Sequence, residues 1–158
     1  MARQVGYAAL KQIHTELLNV QRLYVDSAPL IYFVEENAVY LDKMRLIVRI
    51  IDETSLVAYS SVLTLAEVLV MPLRRGDKRL VHAYREILLA GDDYELVAVT
   101  PDIAESAAAI RARYSLGTPD SLHVASAIAK QCDAMLTNDR DMTRVRELSI
   151  LLLDDLVT

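Results

Sequence analysis

A chain of 158 residues with 53% hydrophobic side chains is long enough to form one domain with a well-filled core. Its net charge of −5 argues against a nucleic-acid-binding surface that is basic throughout, although carboxylates that gather divalent cations would still present positive charge to a phosphate. The sequence has no apolar run of the ~18 residues that a membrane span needs and no apolar signal segment at its start, so we expect a cytoplasmic protein with no membrane partner.

The predicted elements alternate between helix and strand along the chain. A first helix would place Leu10, Ile13, Leu17 and Val20 on one face. The later elements are a strand at 22–26, a helix from Ala28 and Pro29, a helix at 39–53, a strand at 56–60, helices at 64–73 and 77–90, a strand at 95–100, helices at 101–114 and 119–130, a strand at 134–138, a short helix at 141–147 and a strand at 149–155.

This alternation predicts the fold class. Strands that alternate with helices are typical of a parallel sheet that is covered on both faces. We therefore expect an α/β protein, a three-layer α/β/α sandwich with a mostly parallel sheet of about five strands. The predicted organisation is an N-terminal helical extension at 1–21, acting only as a packing element, and one α/β domain at 22–158.

Four acidic residues lie near the ends of predicted strands. Asp26 ends the first strand, Glu67 lies in the helix after the second, and Asp120 and Asp139 lie before and after the strand at 134–138. Ligands of such sheets bind beyond the carboxyl ends of the strands, where the strand order reverses, so the fold would bring these acids together. Ligand sets made only of oxygen suit Mg²⁺ or Mn²⁺ better than zinc.

Each acid also has a local interpretation. Thr64 and Glu67 fit a capping box, in which the glutamate returns to the helix start. Asp120 would complement a helix dipole, Asp139 would cap the next helix, and Asp26 would be a turn residue. For any one acid taken alone, the local interpretation is the more economical one.

Taken together, the motifs resemble the PIN-domain family, and specifically the VapC-type toxins of bacterial and archaeal toxin-antitoxin pairs. The resemblance extends from Arg22 to Thr158 and rests on YVDSAPLIYFVE, SSVLTLAEVLV, GTPDSLHVASAIAKQCDAMLTND and the closing hydrophobic strand. The third motif is the most specific, because it joins an Ala-rich helix that begins with an aspartate to a strand that ends in Thr-Asn-Asp.

The resemblance implies a metal-dependent endoribonuclease that hydrolyses RNA phosphodiester bonds as the toxin of a type II toxin-antitoxin system. It makes 22–158 a PIN-like nuclease domain, with Mg²⁺ or Mn²⁺ as cofactor and with RNA and a cognate antitoxin as partners. It also implies four catalytic and metal-binding acids and three supporting residues, namely Asp26, Glu67, Asp120 and Asp139, and Ser27, Thr137 and Asn138. The family usually has Thr or Ser where this chain has Ala28, so one supporting hydroxyl is absent.

Basic residues and one histidine need separate interpretation. The turn after the Glu67 helix is predicted either to follow an RNA backbone or to be an ordinary solvated turn, and its basic residues are Arg74, Arg75, Lys78 and Arg79. Further candidates of the same kind are Arg111, Arg113 and Arg140. His123, one turn beyond Asp120, is interpreted as a helix-surface or interface residue and is left out of the site.

Two other functions and one further surface complete the predictions. A catalytically silent PIN-like subunit would be expected to lack one or more of the four acids, and a structure-specific DNA nuclease would be expected to carry long helical insertions. An apolar surface for a homodimer and an antitoxin is predicted on the helices after the first strand, although core packing explains the same residues, which are Tyr32, Phe33, Val39, Tyr40 and Leu41.

Overall fold

The centre of the protein, whose computed structural model describes residues 13–156, is a single sheet. Its strands are Arg22–Val25 (β1), Val57–Ser61 (β2), Tyr94–Val97 (β3), Ala134–Thr137 (β4) and Ser149–Leu152 (β5). They lie in the order β3-β2-β1-β4-β5 and every neighbouring pair is parallel. The α/β prediction is confirmed, and within the described residues the sheet is wholly parallel.

Helices cover both faces of this sheet and form the outer layers. Residues 13–17 are helical (α1). The other helices are Ser27–Val34 (α2), Leu41–Glu53 (α3), Val62–Arg75 (α4), Lys78–Ala90 (α5), Pro101–Tyr114 (α6) and Thr118–Ala129 (α7), and the short helix predicted near 141–147 is a 3₁₀-helix at Arg140–Arg144. One face is covered by α1 to α5, and the other by α6, α7 and the 3₁₀-helix.

The two central strands contribute side chains to both hydrophobic cores. In β1, Leu23 and Val25 point to the core under α1 to α5, whereas Tyr24 points to the core under α6 and α7. In β4, Leu136 and Met135 divide in the same way. Strands buried on both faces need near-continuous apolar runs, which explains the sequences RLYV and AMLT.

Polar side chains at the strand ends fix where the next helices begin. The carboxylate of Asp26 accepts a hydrogen bond from the Ser27 amide at the start of α2. The hydroxyl of Ser61 accepts one from the Leu63 amide and so caps α4. The capping-box interpretation of Thr64 and Glu67 is therefore wrong, because α4 begins three residues earlier than that interpretation requires.

The first helix packs against the body of the domain. Ile13 and Leu17 are buried in the core under α1 to α5, and Val20 packs against it. Leu10, the other residue of the predicted stripe, lies outside the described residues, as do 1–12 and 157–158. The division into 1–21 and 22–158 therefore stays a prediction. No helix among residues 13–156 is both long enough and apolar enough to cross a membrane.

Replacing Leu17 by alanine tests this packing. The Leu17 side chain is 4% exposed, so its truncation is expected to leave a cavity and to lower the free energy of unfolding by about 2–5 kcal/mol. Denaturant titration followed by circular dichroism measures the change. The neighbouring Leu18→Ala is a matched control, because Leu18 is 78% exposed and its truncation should change stability by about 0.5 kcal/mol or less. Equal effects would contradict the packing of α1.

Candidate active site

The candidate site lies where the strand order changes direction. From β1 the chain proceeds outward to β2 and β3 on one side, and β4 and β5 follow on the other. Asp26 directly follows β1, and Asp139 lies two residues beyond the end of β4. The Asp26 amide donates to the carbonyl of Leu136 at 2.9 Å, which holds the ends of the two strands together. Two of the predicted acids therefore lie at the sheet edge where such folds bind ligands.

Asp26 is held by hydrogen bonds from both neighbouring segments. Its Oδ1 accepts from the Ser27 amide at 2.8 Å, and its Oδ2 accepts from the Thr137 hydroxyl at 2.7 Å. The same hydroxyl oxygen accepts from the Asp139 amide at 3.1 Å. Thr137 thus connects the first and the last of the four acids. The Asp26 side chain is fixed by these hydrogen bonds, and the residue is only 9% exposed.

The Glu67 side chain, on α4, is held by contacts with residues of two other helices, α2 and α7. The Ser27 hydroxyl, at the start of α2, donates to Glu67 Oε2 at 2.5 Å. On α7, Nε2 of His123 lies 3.2 Å and 3.3 Å from the two carboxylate oxygens of Glu67. Nδ1 of the same ring lies 2.7 Å from the hydroxyl of Tyr24, which is fully buried in β1. A chain of contacts therefore leads from the core through the imidazole to Glu67.

The interpretation of His123 as a surface or interface residue is wrong. The residue is 1% exposed, and its Nε2 also lies 3.9 Å from Oδ1 of Asp26. The sequence does contain a signal for this placement, since residues three apart on a helix lie on the same face and His123 follows Asp120 by three. A histidine on the face of a helix that carries a site acid is a candidate neighbour of that site.

The surroundings of His123 and Glu67 favour an ion pair. Burial lowers the pKa of His123, but the hydrogen bond to Glu67 and the charges of Asp26, Glu67 and Asp120 outweigh it and raise the pKa overall. Desolvation would raise the pKa of Glu67, but the hydrogen bonds from His123 and Ser27 and the charge of the imidazolium lower it overall. Both shifts favour an imidazolium next to a carboxylate.

Asp120 shares its electrostatic surroundings with the other three acids. It is the third residue of α7 and is half-buried. Desolvation raises its pKa, and so do the negative charges of Asp139, Asp26 and Glu67, against the opposing charge of His123. The four predicted acids are therefore close enough in space to repel one another, although they are far apart in the sequence.

The donor chemistry of the site fits a hard divalent cation. Carboxylate oxygens are the ligands that Mg²⁺ and Mn²⁺ prefer. Within residues 13–156, no group of three or more histidine, cysteine, aspartate or glutamate side chains is arranged so that it could hold a metal ion without movement of those side chains. Desolvation and then the negative charges of the other three acids raise the pKa of Asp120, and a cation bound among the acids would offset the repulsion between those charges.

The Asn138 side chain forms hydrogen bonds with neighbouring segments and, among the described residues, none with the four acids. Its side-chain amide donates to the Tyr40 hydroxyl at 3.1 Å, and its carbonyl accepts from the Asp154 amide at 3.0 Å. Tyr40 in turn donates to the Asp154 carboxylate at 2.7 Å. The residue therefore joins the loop after β4 to the start of α3 and to the segment after β5, and so shapes the loop that carries Asp139.

The basic turn lies at the far end of α4 and the start of α5. Arg75 follows Glu67 by eight residues, which corresponds to about 12 Å along a helix axis. The basic residues of this turn are Arg74, Arg75, Lys78 and Arg79. In the part of the chain that the structure describes, no hydrogen bond or ion pair connects them to the four acids. Its role in RNA binding stays a prediction.

Several solved structures of other proteins are similar to this chain in fold. The chain is similar to a toxin-antitoxin complex from Klebsiella pneumoniae, at 18% identity over 83% of this chain and 97% of the other, with a TM-score of 0.62. It is also similar to VapBC2 from Rickettsia felis bound to a DNA fragment from their promoter, at 15% identity over 83% and 98%, with a TM-score of 0.65. A third similar structure is VapC20 of Mycobacterium tuberculosis, a sarcin-ricin loop cleaving toxin, at 19% identity over 78% and 98%, with a TM-score of 0.63.

At these identities the structural similarity concerns the fold. A search of curated protein sequences finds no match for this chain. A model of the PIN domain family, in contrast, matches residues 23–148, which include β1 from its second residue, the whole of β4 and all four acids. Because this match covers well over half of the sequence, the chain belongs to the PIN domain family.

Proposed function

We propose that this chain is a divalent-metal-dependent endoribonuclease and the toxin of a type II toxin-antitoxin pair. The observation that carries the proposal is the gathering of Asp26, Glu67, Asp120 and Asp139 at one sheet edge, where desolvation and the charges of the other three acids raise the pKa of Asp120. Membership of the PIN domain family and the similarity to a toxin that cleaves the sarcin-ricin loop support a nuclease that acts on RNA.

The four acids would hold Mg²⁺ or Mn²⁺, which polarises a phosphate oxygen and makes water a better nucleophile. The protein's own side chains would divide the remaining work. Asp26 and Glu67 are held in place by hydrogen bonds, and the lowered pKa of Glu67 makes it a weak base. Asp120 has a raised pKa and is therefore better suited to accept a proton from the attacking water.

Cleavage assays on purified protein test the proposal. We expect cleavage of single-stranded RNA in Mn²⁺ or Mg²⁺, no cleavage in excess EDTA, and recovery when the metal is restored. DNA of the same sequence and a branched DNA duplex serve as controls. Cleavage of branched DNA without cleavage of RNA would favour the DNA nuclease instead, and inactivity on both would favour the silent subunit.

We further propose an antitoxin as protein partner. Two of the similar structures are toxin-antitoxin complexes, which supports such a partner. A cavity of about 350 Å³ between α2, α3 and α5 has an apolar lining that includes Leu30, Phe33, Met44, Ile47 and Ile87. Apolar side chains of a partner helix would fit this lining. Co-expression with a small reading frame next to the gene tests the pairing, and failure of the two products to co-purify would contradict it.

A homodimer remains a proposal as well. Tyr32 and Tyr40 stack on each other with 4.3 Å between their ring centroids, and both pack against the core together with Phe33. Core packing therefore accounts for these aromatic residues, whereas Val39 is 72% exposed and is free to contact a second copy. Light scattering at micromolar concentration decides the point, since the mass of one chain would contradict the dimer.

A further inference from the structure

Four arginines lie on two segments that border the acidic site, namely the end of α6 and the 3₁₀-helix after β4 with the residues that follow it. Arg111 and Arg113 belong to the last turns of α6, Arg144 ends the 3₁₀-helix, and Arg146 follows it. We call these four residues the arginine cluster. All four are exposed, so their guanidinium groups are open to solvent and to a ligand.

Three of the four arginines, Arg113, Arg144 and Arg146, contact Tyr114, the last residue of α6. The Tyr114 carbonyl accepts from the Arg144 guanidinium at 3.4 Å, and its hydroxyl oxygen accepts from the Arg146 amide at 3.3 Å. The same hydroxyl donates to Glu147 at 2.7 Å, and the Arg113 guanidinium lies 6.0 Å from the centre of the tyrosine ring. These contacts fix the 3₁₀-helix and the segment after it against the end of α6.

Three contacts lead from the arginine cluster to the two segments that carry Asp120 and Asp139. Arg111 donates to the hydroxyl of Thr118, the first residue of α7, in the same turn that carries another of the four acids. Arg144 pairs with Asp141 at 2.7 Å, and the Asp141 amide donates to Oδ1 of Asp139 at 2.9 Å. The cluster therefore borders both the start of α7 and the loop after β4.

Two of the four arginines in the cluster have no acidic partner among the described residues. Arg113 forms an ion pair with Glu147, and Arg144 forms one with Asp141. Among residues 13–156, Arg111 and Arg146 form no ion pair with an acid. In a protein of net charge −5, this leaves two guanidinium groups without an acidic partner on segments that border the acidic site. Guanidinium groups bind phosphate oxygens through two parallel hydrogen bonds, so phosphate is the ligand that this surface fits.

We propose that the arginine cluster binds the RNA backbone next to the phosphate that is cleaved, with Arg111 and Arg146 as the phosphate-binding side chains. The inference rests on the proposed nuclease function and names the surface along which the substrate lies. It assigns the main backbone contact to this cluster and not to the basic turn at Arg74 and Arg75, which no contact in the described part of the chain connects to the acids.

Binding of a fluorescent single-stranded RNA, measured by anisotropy across a range of salt concentrations, tests the inference. All proteins carry Asp120→Asn so that the RNA stays intact, and circular dichroism checks their fold. The double variant Arg111→Gln/Arg146→Gln is expected to bind at least tenfold more weakly at low salt. Its slope of log affinity against log salt should fall by about 1.4, which is about 0.7 for each lost phosphate contact on a single strand.

The matched control is Arg74→Gln/Arg75→Gln, which removes the same charge from the other basic surface and should bind within twofold of the parent. If the parent binds and the wild type cleaves RNA, but the double variant at the cluster keeps its affinity and slope, the cluster assignment is overturned and the nuclease function stands. Loss of binding in the control variant alone would also overturn the cluster assignment, because it would show that the basic turn makes the main contact with the RNA backbone. If the wild type neither binds nor cleaves RNA, the proposed function itself fails.

Discussion

Asparagine at position 120 is expected to abolish metal-dependent cleavage of RNA while the protein stays folded. The substitution removes one of the four charges that would hold the cation and the carboxylate best suited to act as a base. Loss of a general base costs about 10²–10⁴-fold in rate, and loss of a metal ligand adds to that. Cleavage rates at saturating Mn²⁺ measure the effect, and a rate within tenfold of the wild type would contradict the assigned site.

The same variant should be more stable than the wild type when no metal is bound. The folded protein raises the pKa of Asp120, so at neutral pH its ionised form opposes folding, and asparagine removes that opposition. The gain in stability should be present above the pKa that Asp120 has in the folded protein. It should vanish below about pH 3.9, where the aspartate is protonated in both the folded and the unfolded state. Melting in EDTA measures it, and added Mn²⁺ should stabilise the variant less than the wild type.

Asp102→Asn is the matched control for this experiment. Asp102 is an exposed acid in the first turn of α6, a helix of the same layer as α7, and it is not one of the four acids. Its replacement removes one favourable charge from a helix start without touching the site. A rise in melting temperature for Asp102→Asn equal to that for Asp120→Asn would mean that general charge reduction, and not repulsion inside the site, explains the gain.

Alanine at position 123 is expected to lower the stability of the folded protein. It removes the imidazole between Glu67 and Tyr24 and leaves the fully buried Tyr24 hydroxyl without that partner. The loss of a buried hydrogen bond together with a cavity should lower the free energy of unfolding by about 2–4 kcal/mol. Denaturant titration measures the loss, and a change below about 0.5 kcal/mol would contradict a role in packing.

Two further replacements of His123 separate its contacts. Glutamine places an amide nitrogen near the position of Nε2 and can still donate to Glu67, whereas asparagine places a polar atom near Nδ1 and serves Tyr24. If the histidine positions Glu67, the asparagine variant should lose about 10–100-fold in metal affinity or activity, and the glutamine variant should lose less. Calorimetric titration with Mn²⁺ adds a readout independent of cleavage. Equal losses in both variants would contradict the positioning role.

The stability contributed by the contact to Glu67 should depend on pH. Because the folded protein raises the pKa of His123, this contribution is complete below about pH 6.5, the ordinary pKa of histidine, and is lost as the pH rises through the folded value. The melting temperatures of the wild type and His123→Asn should therefore differ more at pH 5.5 than at pH 9. A difference that grew with pH would contradict the ion pair.

The sequence by itself determined the kind and order of the elements and the four candidate acids. Local signals are sufficient for this. Thr100 and Pro101 mark the start of α6, which has the predicted bounds, and Gly76 ends α4 in a left-handed conformation that favours glycine. Asp26 and Asp139 were identified because each follows a buried apolar run, and in a parallel sheet such positions lie at one edge.

Only the tertiary structure decided which partners the site residues have. Within the sequence, Glu67 fits a capping box with Thr64, but in the fold its partners are Ser27 and His123. Likewise, nothing local brings Arg144 and Arg146 to the end of α6, since their contacts with Tyr114 form only after α6 and the 3₁₀-helix have packed on the same face. Hydrophobic period and capping signals act over one or two helical turns, whereas contacts between residues 30 to 100 positions apart depend on strand order and helix packing.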